Sequence, residues 1–319
     1  MTDYSLDFDM RWSARPRGCS ISFHCFDTPN RITVFDESLS RETAERALLD
    51  ARNLCLDLHR LWSFSRDDSD IARINGPALR VDVDPRTAEL LGAMRSFHET
   101  EPLFDFTIGP VSYLWKNTNR LPDPEELERA RQLVNAKHVA IEGTTVIKAD
   151  ARMRVDVGGA AKGFAADGIA ALLPEYGFER ADIDLGGNVY LLGNHPEGRP
   201  WRLEIHIPEG TNAPRTMLTL ADASAVTSGT YERFATVDGK RYHHIIDPTT
   251  GMPSLSDIMS ATVCCRSSLQ ADMLATTALL AGSNGLEALA ARHGEAQFVA
   301  ILETGRVLRF NESEPRTGL

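Results

Sequence analysis

Beyond Lys137 the chain is written mainly in short runs rich in β-branched and alternating apolar residues, and this restricts its fold more than any other feature. HVAIE, TTVIK and MRVDV come first, followed by ADIDLGGNVYLLG, WRLEIHI, MLTLA, YHHIID and IMSATVCC, with AQFVAILE and VLRF at the end. Two long helical patterns break the series. One runs from about Lys162 to Tyr176 with Phe164, Ala165, Ile169, Leu172 and Leu173 apolar, and the other contains ADMLATTALLAG, Ala271 to Gly282. Strands gathered in runs, rather than in strict β–α alternation, predict an α+β architecture.

The first half agrees. CSISFHCF and RITVF read as two strands joined by a turn at DTPN. Ser40 caps a long helix whose Ala44, Ala47, Leu48, Ala51, Leu54, Leu58, Leu61 and Trp62 recur at helical spacing. Asp84-Pro85 opens a second helix, and Asp123-Pro124, with Glu126 completing a capping box, opens a third. The last two strands form a hairpin across Thr304-Gly305, and NHPEGRP and PEGTNAPR read as surface loops.

Charge narrows the functional classes. With 34 Lys and Arg against 45 Asp and Glu, the net charge is −11, and no basic cluster offers a surface for nucleic acid or anionic membrane. An anionic ligand would need local help from backbone N–H groups, a metal or a single lysine. Five cysteines, an odd number without a CxxC, read as small buried thiols of a reducing compartment; Cys264 and Cys265 should face opposite sides of one strand. No apolar leader opens MTDYSLDFDMRWSARPRG and no span approaches membrane length, so a cytoplasmic protein without a membrane anchor is expected.

Several segments have the residue types for chemistry, each with a plainer reading beside it. VDVGGAAKGFAADG is a Gly-Gly turn into a helix start, a place that suits phosphate or simply a tight strand-to-helix turn. DLGGNVYLLG puts two glycines in a strand, as a bulge or a close backbone approach does. RYHHIIDPTTGMP contains a type I turn at Asp247-Pro248-Thr249-Thr250 with Gly251 after it; of His243 and His244, at most one can enter a pocket. LFDFTIGPVSYLW, if extended, sets Asp105 and Thr107 on one face, and VTSGTYERF reads as a loop bonded by its own hydroxyls. Asp272 and Thr276 lie one helical turn apart in an apolar helix, either hydrogen-bonded within the core or as the carboxylate–hydroxyl set that Mg²⁺ or Ca²⁺ prefers and zinc does not.

Taken in order, WSFSRDDSDIARIN, FDFTIGPVSYLW, VDVGGAAKGFAADG, IDLGGNVYLLG, VTSGTYERFATVDGKRYHHIIDPTTGMP and SLQADMLATTALLAG resemble the ApbE family of flavin transferases, from about Gly18 to Arg309. The resemblance implies a T-fold-like α+β architecture of mixed and antiparallel sheets packed with several long helices. It implies one domain over residues 18–319 behind a polar lead of residues 1–17. It also implies transfer of FMN from FAD to a Thr or Ser hydroxyl of a client flavoprotein, with Mg²⁺ and with release of AMP. On this resemblance Asp272, Thr276 and the Gly159 carbonyl are metal ligands. Leu103, Phe104, Asp105, Asp156, Lys162, Ser228 and Ile246 contact FAD, and His244 with Asp272 serves catalysis. An FAD pyrophosphatase and a non-catalytic flavin-binding protein are the alternatives. Two departures fall toward the flavin end: Arg17-Gly18-Cys19 stands where the family often has Met-Gly-Thr, and Ser65, preceded by Phe64, where it often has Tyr.

Overall fold

Strands β1 (Phe8–Ala14), β2 (Arg17–Cys25) and β3 (Thr28–Phe35) form a meander at one edge of a large sheet in the computed structural model. It describes residues 7–312 except positions 15, 37, 39, 117–120, 232–233 and 238–239. Helices α1 (Arg41–Trp62) and α2 (Asp70–Ile74), strand β4 (Arg80–Asp82), and helices α3 (Pro85–Thr100), α4 (Gly109–Lys116) and α5 (Pro124–Arg131) follow. Next come β5 (Val139–Glu142), β6 (Thr145–Lys148), α6 (Ala161–Leu172), β7 (Ala181–Leu185), β8 (Asn188–Leu192), β9 (Trp201–Ile205) and β10 (Thr216–Leu220). The chain then runs through β11 (Ala223–Gly229), β12 (Phe234–Val237), β13 (Lys240–His243), β14 (Ile258–Cys265), α7 (Ser268–Arg292), β15 (Gln297–Leu302) and β16 (Val307–Phe310).

The large sheet has nine strands in the order β1-β2-β3-β7-β8-β11-β14-β15-β16, and each neighbouring pair is antiparallel. Side chains alternate across it. Ile21, Ile32, Ile183, Val226 and Val263 face a layer made by α1, α6 and α7. Leu191, Ala225, Cys264, Val299 and Ile301 face the β9–β10 hairpin, whose Trp201, Ile205, Leu218 and Leu220 cover that side. Cys264 and Cys265 therefore belong to different faces, as expected, and all five cysteines are buried and unpaired. The caps fall where the sequence puts them: Ser40 Oγ accepts from Thr43 N–H, and Asp84 and Asp123 accept from the first N–H groups of their helices. No helix among the described residues is long and apolar enough to cross a membrane.

Several local expectations change. The β2–β3 turn is not DTPN but Phe26-Asp27, both at positive φ (53° and 58°), the I′ geometry that suits the twist of a hairpin. Pro29 then lies within β3, and the buried Asn30 amide donates to the carbonyls of Cys25 and Thr28. Gly186 and Gly187 are likewise no bulge; at φ 61° and 86° they form the whole turn between β7 and β8. VTSG is no loop, since Thr227, Ser228 and Gly229 pair with β14 in the centre of the sheet. MRVDV makes no strand: a single parallel bridge joins Arg154 to Ile108, and the Asn75 side chain takes both backbone groups of Val155 at 2.7 and 3.0 Å. Parallel pairing among the described residues goes no further than that bridge, so the mixed character expected of the sheets is slight. Part of the polar lead is the edge strand β1, in which Phe8, Met10, Trp12 and Ala14 alternate with Asp9, Arg11 and Ser13, although only Met10 is partly covered by the core. In α7 the helix breaks at Gly282 (φ 65°, ψ 176°), and Asp257 caps the second part by accepting from Ser283 N–H and Oγ–H.

Candidate functional site

Two helix starts meet beneath the sheet, and the meeting depends on Gly163. A Cβ at that position would lie 2.5 Å from the Ser268 carbonyl oxygen and 2.7 Å from Leu269 Cα, so α6 reaches the start of α7 only because glycine has none. One turn along α6, Asp167 caps α7, accepting from Ser268 N–H (2.7 Å), Leu269 N–H (3.0 Å) and Ser267 Oγ–H (2.9 Å). The docking sets the Gly163 N–H 2.9 Å from Asp272 Oδ2. Asn188, the first residue after the Gly-Gly turn, brings Nδ2 to 3.5 Å from the same oxygen.

Asp272 is buried, 5% exposed, and no side-chain cation lies within salt-bridge distance of it among the described residues. Burial pushes its carboxyl above the ordinary range, outweighing the nearby Lys162 charge and the two donors. Thr276, one turn along, has its Oγ1 3.4 Å from both Ser228 Oγ and the Asp272 carbonyl, long for hydrogen bonds. Gly159 completes the cluster: a Cβ there would lie 3.3 Å from Thr276 Oγ1 and 3.1 Å from the Phe104 ring. One carboxylate and the hydroxyls of Thr276 and Ser228 lie together beside Gly159, and among the described residues no trio of His, Cys, Asp or Glu is placed to hold a metal. Such an all-oxygen set suits a hard divalent cation rather than zinc. Asp272 Oδ1, which accepts no hydrogen bond among the described residues, is the atom that makes the fit.

The second glycine motif serves this cluster. Lys162 Nζ donates to the Gly186 carbonyl at 3.1 Å, so the β7–β8 turn holds the lysine whose charge acts on Asp272. Upstream of Gly159, Asp156 accepts from Gly158 N–H (3.0 Å), Ser112 Oγ–H (3.1 Å) and Lys116 Nζ (3.0 Å). Burial opposes its ionisation, but Lys116 and these donors prevail and hold the carboxyl below the usual range. Lys116 Nζ also sits 4.7 Å from the ring centre of Phe64, which is half exposed.

Other expected contacts are placed differently. Asp105 and Thr107 do not share a strand face; Asp105 closes a turn, accepting from Thr107 N–H and Oγ–H and from Ala136 N–H. Its carboxylate is engaged within the protein; beside it Leu103 is half-buried and Phe104 buried, with the Phe104 carbonyl 2.9 Å from His98 Nδ1. Ile246 is buried against Val111 and Trp115 of α4, the helix whose Ser112 and Lys116 hold Asp156. The Asp247 turn forms as expected, with Gly251 at φ 70° and its carbonyl accepting from Trp115 Nε1–H. His243 Nδ1 accepts from Ile245 N–H and its Nε2–H reaches the Ser254 carbonyl, which fixes a neutral ring whose pKa burial lowers further. His244, its neighbour, is exposed. The fold thus gathers Phe104, Gly159, Lys162, Ser228, Asp272 and Thr276 directly, and joins Asp156 and Ile246 through α4. Gly163, Asp167, Asn188, Ser268, Ser112 and Lys116 were not singled out from the sequence. The i, i+4 pairs Gly163/Asp167 and Ser112/Lys116 were the available signals.

Comparison with known proteins gives one consistent result. The family model described as the ApbE family matches residues 26–300. The FAD:protein FMN transferase of Treponema pallidum is 34% identical over 291 residues, covering 84% of this chain and 80% of that protein. The one from Vibrio cholerae is 32% identical over 251 residues, 74% and 75% of the two chains. Among solved structures, the flavin transferase ApbE from Vibrio cholerae superposes with a TM-score of 0.82 at 26% identity, over 98% of this chain and all of that one. The ApbE protein from Thermotoga maritima does so with 0.84 at 27% identity, over 93% and 100%.

Proposed function

The chain belongs to the ApbE family, and from that premise we propose how its residues carry out FMN transfer from FAD to a client flavoprotein. The observation that carries the reading is the buried Asp272 carboxylate, with one oxygen left for a cation, one helical turn from the Thr276 hydroxyl that Gly159 approaches. Mg²⁺ bound to the Gly159 carbonyl, Asp272 and Thr276 would neutralise the FAD diphosphate and act on it as a Lewis acid. Lys162, held at the Gly186 carbonyl, adds a positive charge, and the positive end of the α6 dipole favours an anion beside it.

The acceptor is a threonine or serine hydroxyl of the client. Its oxygen attacks the phosphorus on the riboflavin side, the bond from that phosphorus to the bridging oxygen breaks, and AMP leaves with the bridging oxygen. The hydroxyl proton passes to a base, and His244 is the residue we assign to it, because both ring nitrogens of His243 are engaged, by Ile245 and Ser254. Alignment and charge neutralisation supply most of what such a transfer needs. Leu103, Phe104, Asp156, Ser228 and Ile246 would shape the dinucleotide pocket, and Asp105 would do so through the turn that carries Phe104.

Incubation with FAD, Mg²⁺ and a candidate client, followed by intact-mass measurement, tests the reading. A client heavier by one FMN residue, with AMP released in equal amount, is expected. Free FMN without client modification would make the protein a pyrophosphatase, and bound FAD with neither product would make it a carrier.

A further inference from the structure

A buried polar chain runs from the centre of the sheet to Asp272. Asn188 is fully buried at the start of β8, with Ser268 and Ser224, also fully buried, behind it. Ser224 Oγ lies 2.9 Å from Ser268 Oγ and 3.0 Å from the Val189 carbonyl, and Ser268 Oγ–H reaches Asn188 Oδ1 at 2.7 Å. Asp272 Oδ2 can only accept, so the Asn188 amide turns Nδ2 toward it, and the Ser268 hydroxyl then holds the amide that way by donating to Oδ1. With Oδ1 toward Ser268, Nδ2 faces Asp272 Oδ2; flipped, the amide would set its oxygen against the carboxylate. Three neutral polar groups buried in this way are unfavourable unless bonded to one another, and apolar residues of similar size would fill the same space. Gly163 N–H and Asn188 Nδ2 both point at Oδ2, and among the described residues no donor points at Oδ1.

We propose that Asn188, oriented by Ser268, is a positioning residue that fixes the Asp272 carboxylate with Oδ1 turned to the cation. The inference rests on the metal site proposed above and gives that site its supporting layer. Groups behind a metal ligand set its orientation, and losing one typically costs about 10–100-fold in metal affinity.

Electron paramagnetic resonance can measure free Mn²⁺, as a stand-in for Mg²⁺, during titration of the parent protein, Asp272→Ala, Asn188→Leu, Ser268→Ala and the Asn188→Leu/Ser268→Ala double variant. Asp272→Ala should abolish site binding. Asn188→Leu should weaken it by about 10–100-fold, Ser268→Ala should weaken it in the same direction, and the double variant should be no worse than Asn188→Leu, because the two residues act as one unit. Parent-like affinity in Asn188→Leu, with Asp272→Ala inactive in binding, overturns the positioning role and leaves the metal site standing. Parent-like affinity in Asp272→Ala overturns the site and this inference with it. Should Asn188→Leu fail to fold, Ser268→Ala decides alone: an unchanged affinity there refutes the proposal.

Discussion

Burying a carboxylate without an ion-pair partner leaves Asp272 with a charge deficit that hydrogen bonds from Gly163 and Asn188 only partly relieve. The residue's identity therefore matters to function more than to folding. Asp272→Asn keeps the shape and an oxygen for the Gly163 N–H but removes the charge a cation needs. Its transfer rate should fall by more than the roughly 100-fold upper range of a merely supporting residue, while the thermal midpoint stays near that of the parent. A transfer rate within tenfold of the parent, measured by client mass over time, would remove Asp272 from the metal site. Lys148 shows the opposite solution at the same scale. Its buried ammonium donates to the carbonyls of Gly76, Ala151 and Met153, so three neutral oxygens do for a structural cation what the site leaves undone for Asp272.

At the scale of elements, the contact between α6 and α7 is the joint on which the site is hung. Gly163 permits the approach, Asp167 caps the helix it approaches, and the same approach delivers an N–H to Asp272. Gly163→Ala places a methyl group against the Ser268 carbonyl and Leu269 Cα, which both helices must separate to admit. Overpacking of that kind costs about 1–3 kcal/mol, and here it also lengthens the bond to Asp272. Urea unfolding should show a lower midpoint with an unchanged slope, and FMN transfer should fall even where the variant is fully folded. Parent-like activity in the folded variant would mean that the site does not depend on this joint.

Across the whole molecule, the site sits on one face of a nine-stranded antiparallel sheet, and its parts come from widely separated segments. A second long-range tie lies in Glu101, at the end of α3, which is buried and accepts from Arg292 (2.8 and 2.7 Å) and His293 (2.9 Å) at the end of α7. Burial opposes its ionisation, but Arg292 and His293 outweigh it and hold the carboxyl below its ordinary 4.5. A depressed folded pKa means that this stabilisation is complete above the unfolded pKa and lost as pH falls through the folded one. Glu101→Gln should lower the thermal midpoint at pH 7 by roughly 3–6 °C, a figure reduced because Arg292 is half exposed. The gap to the parent should narrow as pH falls below 4.5; a gap independent of pH would rule out the ion pair as its cause. The amino-acid sequence by itself determined the α+β class, the capped helix starts at Ser40, Asp84 and Asp123, the terminal hairpin and the one-turn pairing of Asp272 with Thr276. Each of these follows from periodicity or turn chemistry within a few residues. Only the tertiary structure decided that Gly186-Gly187 is a turn holding Lys162, that Asp105 is engaged by Thr107 and the distant Ala136, and that Asn188, Ser268 and Gly163 stand behind Asp272. Those facts depend on which distant segments touch, and a close approach between backbones leaves no mark in the sequence beyond a small residue whose reason is elsewhere.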